Sequence, residues 1–288
     1  MTTSDPHGAD AEPDHHLQPS KASRAGRDLP AAVAVGVGLV LVISASLVFA
    51  KDTFVVIVAV AMALGISELR TALATAGIAI PVIPVQLGSI AMLLSAYVAG
   101  ADAMVVAVAL TALLTALWRL RRGATGYVRD VTAGVFTAFY IPFLACFVLL
   151  MLRADDGQWQ VATFVLVTIA SDIGGFATGV LIGRHPMAPT ISPRKSWEGF
   201  AGSALACGLA GWAAVVYLLD GTWWVGLLLG GVTVVAATLG DLTESVIKRD
   251  LGIKDMSRLL PGHGGVMDRL DSLLATVPFA WMILHFVA

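Results

Sequence analysis

Charged side chains are concentrated in one segment near the C-terminus of this chain. Of the 38 charged residues, 18 Lys and Arg and 20 Asp and Glu, 11 fall within 241–271. Asp241, Glu244, Ser245 and Lys248 follow one another at i, i+3, i+4 and i+7, so they share one face of a helix. The segment therefore presents two carboxylates beside a hydroxyl and an ammonium group.

A second set of carboxylates lies where the next apolar run begins. Asp268, Asp271 and Ser272 are spaced i, i+3 and i+4, so two carboxylate-bearing helix ends frame one loop. A helix N-terminus stabilises anions by itself, but Asp241 lies at the opposite end of its own helix and needs another reason. Facing carboxylates suit a hard cation such as Mg²⁺. The predicted metal ligands are Asp241, Asp268, Glu244 and Asp271.

Basic side chains and glycines in the same segment are suited to binding phosphate. Arg offers a two-pronged donor and Lys a point charge, and glycine amides can surround an anion closely. Membrane topology explains some of these charges but not their alternation with Asp250 and Asp255. Three roles are considered for His263: contact with a phosphate, bracing of the turn, and acid/base catalysis. The first two are favoured over the third. The other candidates are Lys248, Arg249, Lys254, Arg258, Arg269, Gly262, Gly264 and Gly265.

Another polar segment, SPRKSWEG, begins at Ser192. Ser192 and Lys195 can hold phosphates, and Trp197 is interpreted as an interfacial residue in preference to a surface for base stacking. Upstream, Asp172 lies within an apolar run, where a carboxylate is costly, so it is predicted to face a polar cavity. The small residues around it, Gly174 to Gly183, indicate close helix packing.

The elements that position these residues are transmembrane helices. The chain is 57% hydrophobic and 13% charged, whereas soluble domains are about 25% charged. Its apolar runs are continuous, which excludes a β-barrel and predicts an all-α, polytopic helical membrane protein. Nine spans are predicted, at 30–50, 53–69, 72–98, 101–118, 131–152, 159–183, 199–219, 222–240 and 271–287. The two cysteines, Cys146 and Cys207, are predicted to be core residues.

The basic residues also predict an orientation. With the N-terminus inside, alternation of nine spans places 16 of the 18 Lys and Arg residues in the cytoplasm and leaves only Lys51 and Arg153 outside. This asymmetry predicts an N-in, C-out topology. The predicted regions are a disordered cytoplasmic tail (1–28), an N-terminal transmembrane region (29–158) and a catalytic transmembrane region (159–288), with cytoplasmic loops at 183–199 and 241–271.

Two motif blocks closely resemble the phosphatidate cytidylyltransferase (CDP-diacylglycerol synthase) family. The family pattern S-x-x-K-R-x4-K-D followed by H-G-G-x-x-D-R-x-D is matched from Ser245 to Asp271. A second pattern is matched from Asp172 to Gly199, with Gly175-Phe176 in place of Ala-Tyr and Ser196 in place of Thr. The blocks cover roughly 171–272, and the earlier spans match only as a hydropathy pattern.

The resemblance implies a reaction of CTP with phosphatidate to give CDP-diacylglycerol and pyrophosphate. It implies Mg²⁺ dependence, with a second cation left open, and an active site on the cytoplasmic face of the inner (plasma) membrane. Nucleic acid is not an expected partner, and a homodimer is left open. The implied catalytic residues are Lys195, Lys248, Arg249, Asp268 and Arg269. The implied substrate-binding residues are Ser192, Lys195, Ser245, Lys248, Arg249, Lys254, His263, Gly264 and Gly265.

Three other interpretations remain at the level of the sequence. The nearest is a related CTP-using enzyme acting on another lipid, such as a polyprenol kinase. A transporter is less well supported, because its charges would lie near the midplane between broken helices, whereas here they cluster in loops on one side. A non-catalytic assembly protein is the third.

Overall fold

The computed structural model describes residues 38, 41–257 and 264–287, and nearly all of them are helical. Helical residues 41–49 come first. Within the described ranges, the α-helices that follow are α1 Lys51–Thr75, α2 Val82–Val98, α3 Ala101–Arg119, α4 Tyr127–Ala138, α5 Leu144–Leu152, α6 Gly157–Ile182, α7 Trp197–Leu218, α8 Trp223–Asp250 and α9 Met267–Phe286. A 3₁₀ turn, Leu120–Arg122, extends α3, and a π-helical turn, Phe139–Phe143, joins α4 to α5.

Six helical runs in the described ranges are long and apolar enough to cross a membrane, so the chain is a multi-pass membrane protein. They are Lys51–Thr75, Ala101–Arg122, Tyr127–Leu152, Gly157–Ile182, Trp197–Leu218 and Trp223–Asp250. Helix α2 is also apolar but, with 17 residues, it is shorter than these six runs. Each predicted span overlaps helical residues, the first of them over 41–49. The all-α prediction is confirmed for the described residues.

One predicted boundary is wrong. The sequence placed a connection at residues 70–71, whereas α1 continues to Thr75 and the chain turns at 76–81. Gly77 adopts a left-handed φ of 71°, which favours glycine, and Pro81 precedes the first residue of α2. Apolar composition alone does not locate such a turn, because apolar residues continue on both sides of it.

The N-terminal half contains a buried ion pair that fixes this turn. Arg119 Nε donates to Asp130 Oδ2 at 2.9 Å, and both side chains are about 5% exposed or less. The amide of Ala79 donates to Asp130 Oδ1 at 3.1 Å. One carboxylate therefore connects α3, α4 and the segment between α1 and α2.

In the C-terminal half, α6, α7 and α8 pack at glycine positions. A Cβ added at Gly226 of α8 would lie 2.3 Å from the carbonyl oxygen of Gly211 of α7. A Cβ at Gly174 of α6 would lie 2.6 Å from Cβ of Ala206. Because lipid tails are as apolar as leucine, helices in a membrane associate through such close approach. The predicted role of Gly174 in helix packing is confirmed, and Cys146 and Cys207 are buried, as predicted.

The predicted polar loops contain regular secondary structure. In 183–199, strand β1, Pro186–Ala188, pairs antiparallel with strand β2, Ser192–Ser196, before α7 begins at Trp197. In 241–271, α8 continues to Asp250, as the helical spacing of its charges predicted, and α9 begins at Met267.

Candidate active site at the hairpin and the facing ends of α8 and α9

An ion pair joins the hairpin to α8. Lys195 of β2 donates through Nζ to Asp241 Oδ2, across 46 residues of chain. Both side chains are roughly one quarter exposed, so the pair lies at the edge of the protein interior. The two polar segments identified in the sequence therefore meet in space.

A second lysine joins α8 to α9. Lys248 Nζ lies 2.8 Å from Glu244 Oε2, one turn earlier on the same helix, and 2.9 Å from Asp268 Oδ1 at the start of α9. The Lys248 side chain is 17% exposed, whereas that of Glu244 is 1% exposed. The predicted shared face of Glu244 and Lys248 is confirmed, and the same lysine contacts the second carboxylate set.

Asp268 also organises the segment before α9. Its Oδ2 accepts from the amide of Gly265 at 2.8 Å and from the amide of Met256 at 3.2 Å. Gly264 has a left-handed φ of 82°, as its role in a tight turn required. The Gly265 amide therefore donates to a carboxylate of the protein itself. Its predicted role as a phosphate ligand stays a prediction.

The carboxylates have the chemistry of a site for a hard cation. Glu244 Oε1 is buried and has no donor among the described residues. The carboxyl group of Asp271 faces Glu244. Two carboxylates in contact need a proton or a cation between them. Mg²⁺ often takes only one or two carboxylates and completes its shell with water and substrate phosphates.

The predicted ligands do not form a complete cage by themselves. Among the described residues, no three His, Cys, Asp or Glu side chains converge closely enough to hold a metal ion. Asp241 and Asp268 are each bound to a different lysine. The donor set fits a cation that shares its ligands with substrate, and the assignment of Asp241 and Asp268 to one ion stays a prediction.

A cavity of about 300 Å³ adjoins the Lys195–Asp241 pair. Asp172 lines it together with both of these residues, which agrees with the prediction that Asp172 faces a polar cavity. Phe176 and Phe200 form part of its apolar wall. One compartment therefore combines charged groups with a surface that suits hydrocarbon.

The remaining predicted residues are distributed around these pairs. Arg249 Nε donates to the carbonyl oxygen of Ile191 at 3.4 Å, which brings the end of α8 to the hairpin beside Ser192. Ser245 is half-buried on α8, and Lys254 and Arg269 are exposed. Arg258, Gly262 and His263 lie outside the described residues.

Two buried polar residues near the site were missed at the level of the sequence. Glu68 of α1 is 6% exposed and contacts residues 257, 266 and 267. Tyr140 lies in the π-helical turn, and its buried hydroxyl has no partner among the described residues. The available signal was an acidic residue inside an apolar run, at Glu68, which is expensive in a membrane and marks a functional residue.

Fold and site together define a multi-pass helical membrane protein that holds paired acidic and basic side chains beside a partly apolar cavity. Such a site can bring a phosphate-bearing lipid to a polar reactant. The chain belongs to the cytidylyltransferase family, whose model matches residues 30–287.

Two similar proteins cover nearly the whole chain, and a third covers less than half of it. It is 43% identical over 279 residues to the phosphatidate cytidylyltransferase of Mycobacterium bovis (strain ATCC BAA-935 / AF2122/97), covering 92% of this chain and 91% of the relative. It is 43% identical over 278 residues to that of Mycobacterium leprae (strain TN), covering 91% and 89%. The phosphatidate cytidylyltransferase of Haemophilus influenzae (strain ATCC 51907 / DSM 11121 / KW20 / Rd) is 42% identical over 131 residues, covering 43% and 44%.

Proposed function

We propose that this protein is a phosphatidate cytidylyltransferase, which converts CTP and phosphatidate into CDP-diacylglycerol and pyrophosphate. The relatives that are 43% identical over nine-tenths of the chain carry this name. The observation that carries the proposal is the pair of lysine–carboxylate contacts, Lys195–Asp241 and Lys248–Asp268, where the hairpin meets the facing ends of α8 and α9.

The proposed topology has nine spans, with the N-terminus in the cytoplasm and the C-terminus outside. The 16-to-2 distribution of basic residues supports it. The helices that overlap every predicted span support it too. The protein then lies in the cell inner (plasma) membrane, with Lys195, Lys248 and their partners at the cytoplasmic surface, where CTP is available.

The cavity suits the lipid substrate. Phosphatidate would place its phosphate near Lys195 while its acyl chains remain against Phe176, Phe200 and the bilayer. Helix α6 presents Phe176 at 74% exposure, so the apolar wall continues onto the outer surface of the protein. The lipid would not have to leave the hydrocarbon for its headgroup to reach the polar groups.

The basic side chains would bind the nucleotide. Lys248, Arg249 and Arg269 lie on the facing ends of α8 and α9, where they would contact the triphosphate oxygens. Ser245 and Lys254 lie on the same stretch of chain and would contribute further hydrogen bonds.

Asp241 and Asp268 would hold Mg²⁺, with Glu244 and Asp271 beside them. When bound, the cation would neutralise charge on the CTP phosphates and on the departing pyrophosphate. A second cation stays open in this proposal, since two-metal sites are common in phosphoryl chemistry.

The reaction needs no protein nucleophile. A phosphatidate phosphate oxygen attacks the α-phosphorus of CTP, and the bond from that phosphorus to the oxygen bridging to the β-phosphorus breaks. Pyrophosphate leaves with that electron pair. The protein contributes alignment and charge neutralisation, which are the main requirements of phosphoryl transfer. Lys195 and Lys248 would exchange a carboxylate partner for a phosphate partner as the substrates bind.

The proposed reaction is tested by following the labelled phosphorus atom of CTP. Purified protein in phosphatidate-containing micelles with Mg²⁺ should transfer ³²P from α-labelled CTP into the lipid phase and none from γ-labelled CTP. EDTA should abolish the transfer and excess Mg²⁺ should restore it. Transfer from γ-labelled CTP would identify a lipid kinase instead. Solute counterflow in proteoliposomes without any CTP turnover would identify a transporter.

A further inference from the structure

Helix α1 contributes a buried carboxylate to the segment that carries the site. Glu68 is 6% exposed and lies nearly 200 residues from its partners. Its Oε1 accepts from Ser257 Oγ at 2.5 Å and from the amide of Val266 at 2.9 Å, and its Oε2 accepts from the amide of Met267 at 2.8 Å. A carboxylate in this setting is tolerated only because several donors satisfy it.

Two of these donors belong to the beginning of α9. The first amides of a helix have no acceptor within the helix, and a negative charge placed there is stabilised by the helix dipole. Glu68 supplies both an acceptor and that charge, from an element that precedes α9 by most of the chain. It therefore fixes the position and direction of the first turn of α9.

The same turn carries Asp268. Asp268 accepts from the amide of Gly265, and Glu68 accepts from the amides of the next two residues, 266 and 267. The segment is thus bound from both sides, by Asp268 on α9 and by Glu68 on α1. A small rotation of this turn would move Asp268 away from Lys248, which lies 2.9 Å from it.

Gly265 is explained by the same contact. A Cβ added at this position would lie 2.6 Å from Glu68 Oε2 and 2.9 Å from its Cδ. Contacts shorter than about 3.0 Å force a displacement, and the group displaced here would be the carboxylate that accepts from the amides of 266 and 267. The second glycine of the Gly264-Gly265 pair therefore leaves room for Glu68 to bind these amides.

We propose that Glu68 is a positioning residue for CMP transfer: by binding the start of α9 it holds Asp268 in the orientation that the reaction needs. This inference rests on the proposed function. It also assigns the N-terminal region a part in the active site, since α1 then contributes more than a membrane span.

The test compares Glu68→Gln with Asp130→Asn. Asp130 is a matched control, because it is also a buried carboxylate of the N-terminal half, but its partners are Arg119, Arg129 and the Ala79 amide, outside the site. Glu68→Gln keeps the side-chain shape but replaces one acceptor with a donor that faces amide donors. Turnover per folded molecule and the Mg²⁺ concentration for half-maximal turnover are measured for both, together with hydrogen exchange in peptides covering 264–267.

Glu68→Gln should lower turnover per folded molecule by about tenfold or more, which corresponds to about 1.4 kcal/mol. It should also raise the Mg²⁺ requirement and speed exchange at 266 and 267. Asp130→Asn should lower the yield of folded protein while leaving turnover of the folded fraction within about twofold of wild type. If Glu68→Gln does not fold, Glu68→Asp carries the test, with an intermediate loss expected.

Equal turnover per folded molecule in the Glu68 variant and the wild type would overturn the proposal, as would unchanged exchange at 266 and 267. Failure of the proposed function is recognised separately. In that case the wild-type protein transfers no CMP, whereas the exchange measurement still reports whether Glu68 holds the first turn of α9.

Discussion

Replacing Lys248 by Met should destabilise the protein through the carboxylate that it leaves behind. Glu244 is 1% exposed, and apart from the proton or cation that it shares with Asp271 its only side-chain partner among the described residues is Lys248, so the variant buries a carboxylate without its lysine. Removing one partner of a buried ion pair costs about 3–5 kcal/mol. Asp268 keeps its amide donors, and Lys248 is 17% exposed, so we expect about 2–3 kcal/mol here.

A double-mutant cycle separates this structural effect from the catalytic one. Lys248→Met combined with Glu244→Gln removes both charges and should recover about 1–2 kcal/mol of the loss. Turnover should fall about 10²-fold or more in both Lys248 variants, because neither can place an ammonium group on a phosphate. Stability is measured by unfolding in mixed micelles, and turnover by label transfer from CTP to lipid.

Strict additivity of the two substitutions would refute the reasoning, because it would mean that Lys248 and Glu244 do not interact in the folded protein. Restored turnover in the double variant would refute the predicted role of Lys248 in binding phosphate, since it would show that Lys248 serves only to neutralise Glu244. The single Glu244→Gln variant completes the cycle and shows what the carboxylate contributes when its lysine is present.

Two further predictions concern the metal ligands and the helix packing. Asp241→Asn and Asp268→Asn should each abolish CMP transfer while the protein still inserts and purifies as a folded species; near-normal turnover by both variants would refute the metal assignment. Gly226→Ala should lower the unfolding free energy by about 2 kcal/mol or more, because its Cβ would meet the Gly211 carbonyl at 2.3 Å. Gly231→Ala on the same helix has open space and should change stability by about 1 kcal/mol at most, so similar losses in both would contradict the packing argument.

The sequence predicted those features that depend on local composition and periodicity. The charges of α8 were correctly placed on a helix because their spacing fits 3.6 residues per turn, and that helix continues to Asp250. Asp172 was correctly placed beside a polar cavity because an intramembrane carboxylate has few other tolerable environments. Both inferences need only a short stretch of chain.

Two features that depend on contacts between distant residues were not predicted from the sequence. The turn at 76–81 is fixed by Asp130, about 50 residues later, through the Ala79 amide. The contacts of Glu68 with 266 and 267 join residues almost 200 positions apart. No periodicity reports such a pairing, because it depends on how the helices pack and not on the residues that flank either partner.

The charge balance of the site predicts that the binding of anionic substrates and of a cation is coupled. Asp241, Glu244 and Asp268 pair with Lys195 and Lys248 in the described residues, and Asp271 faces Glu244, so these four carboxylates outnumber the two lysines that pair with them. If substrate phosphates pair with the lysines, the carboxylates lose their positive partners. They would then repel one another at low dielectric, which is unfavourable. Anionic substrates and a divalent cation should therefore bind together, each restoring the balance that the other disturbs.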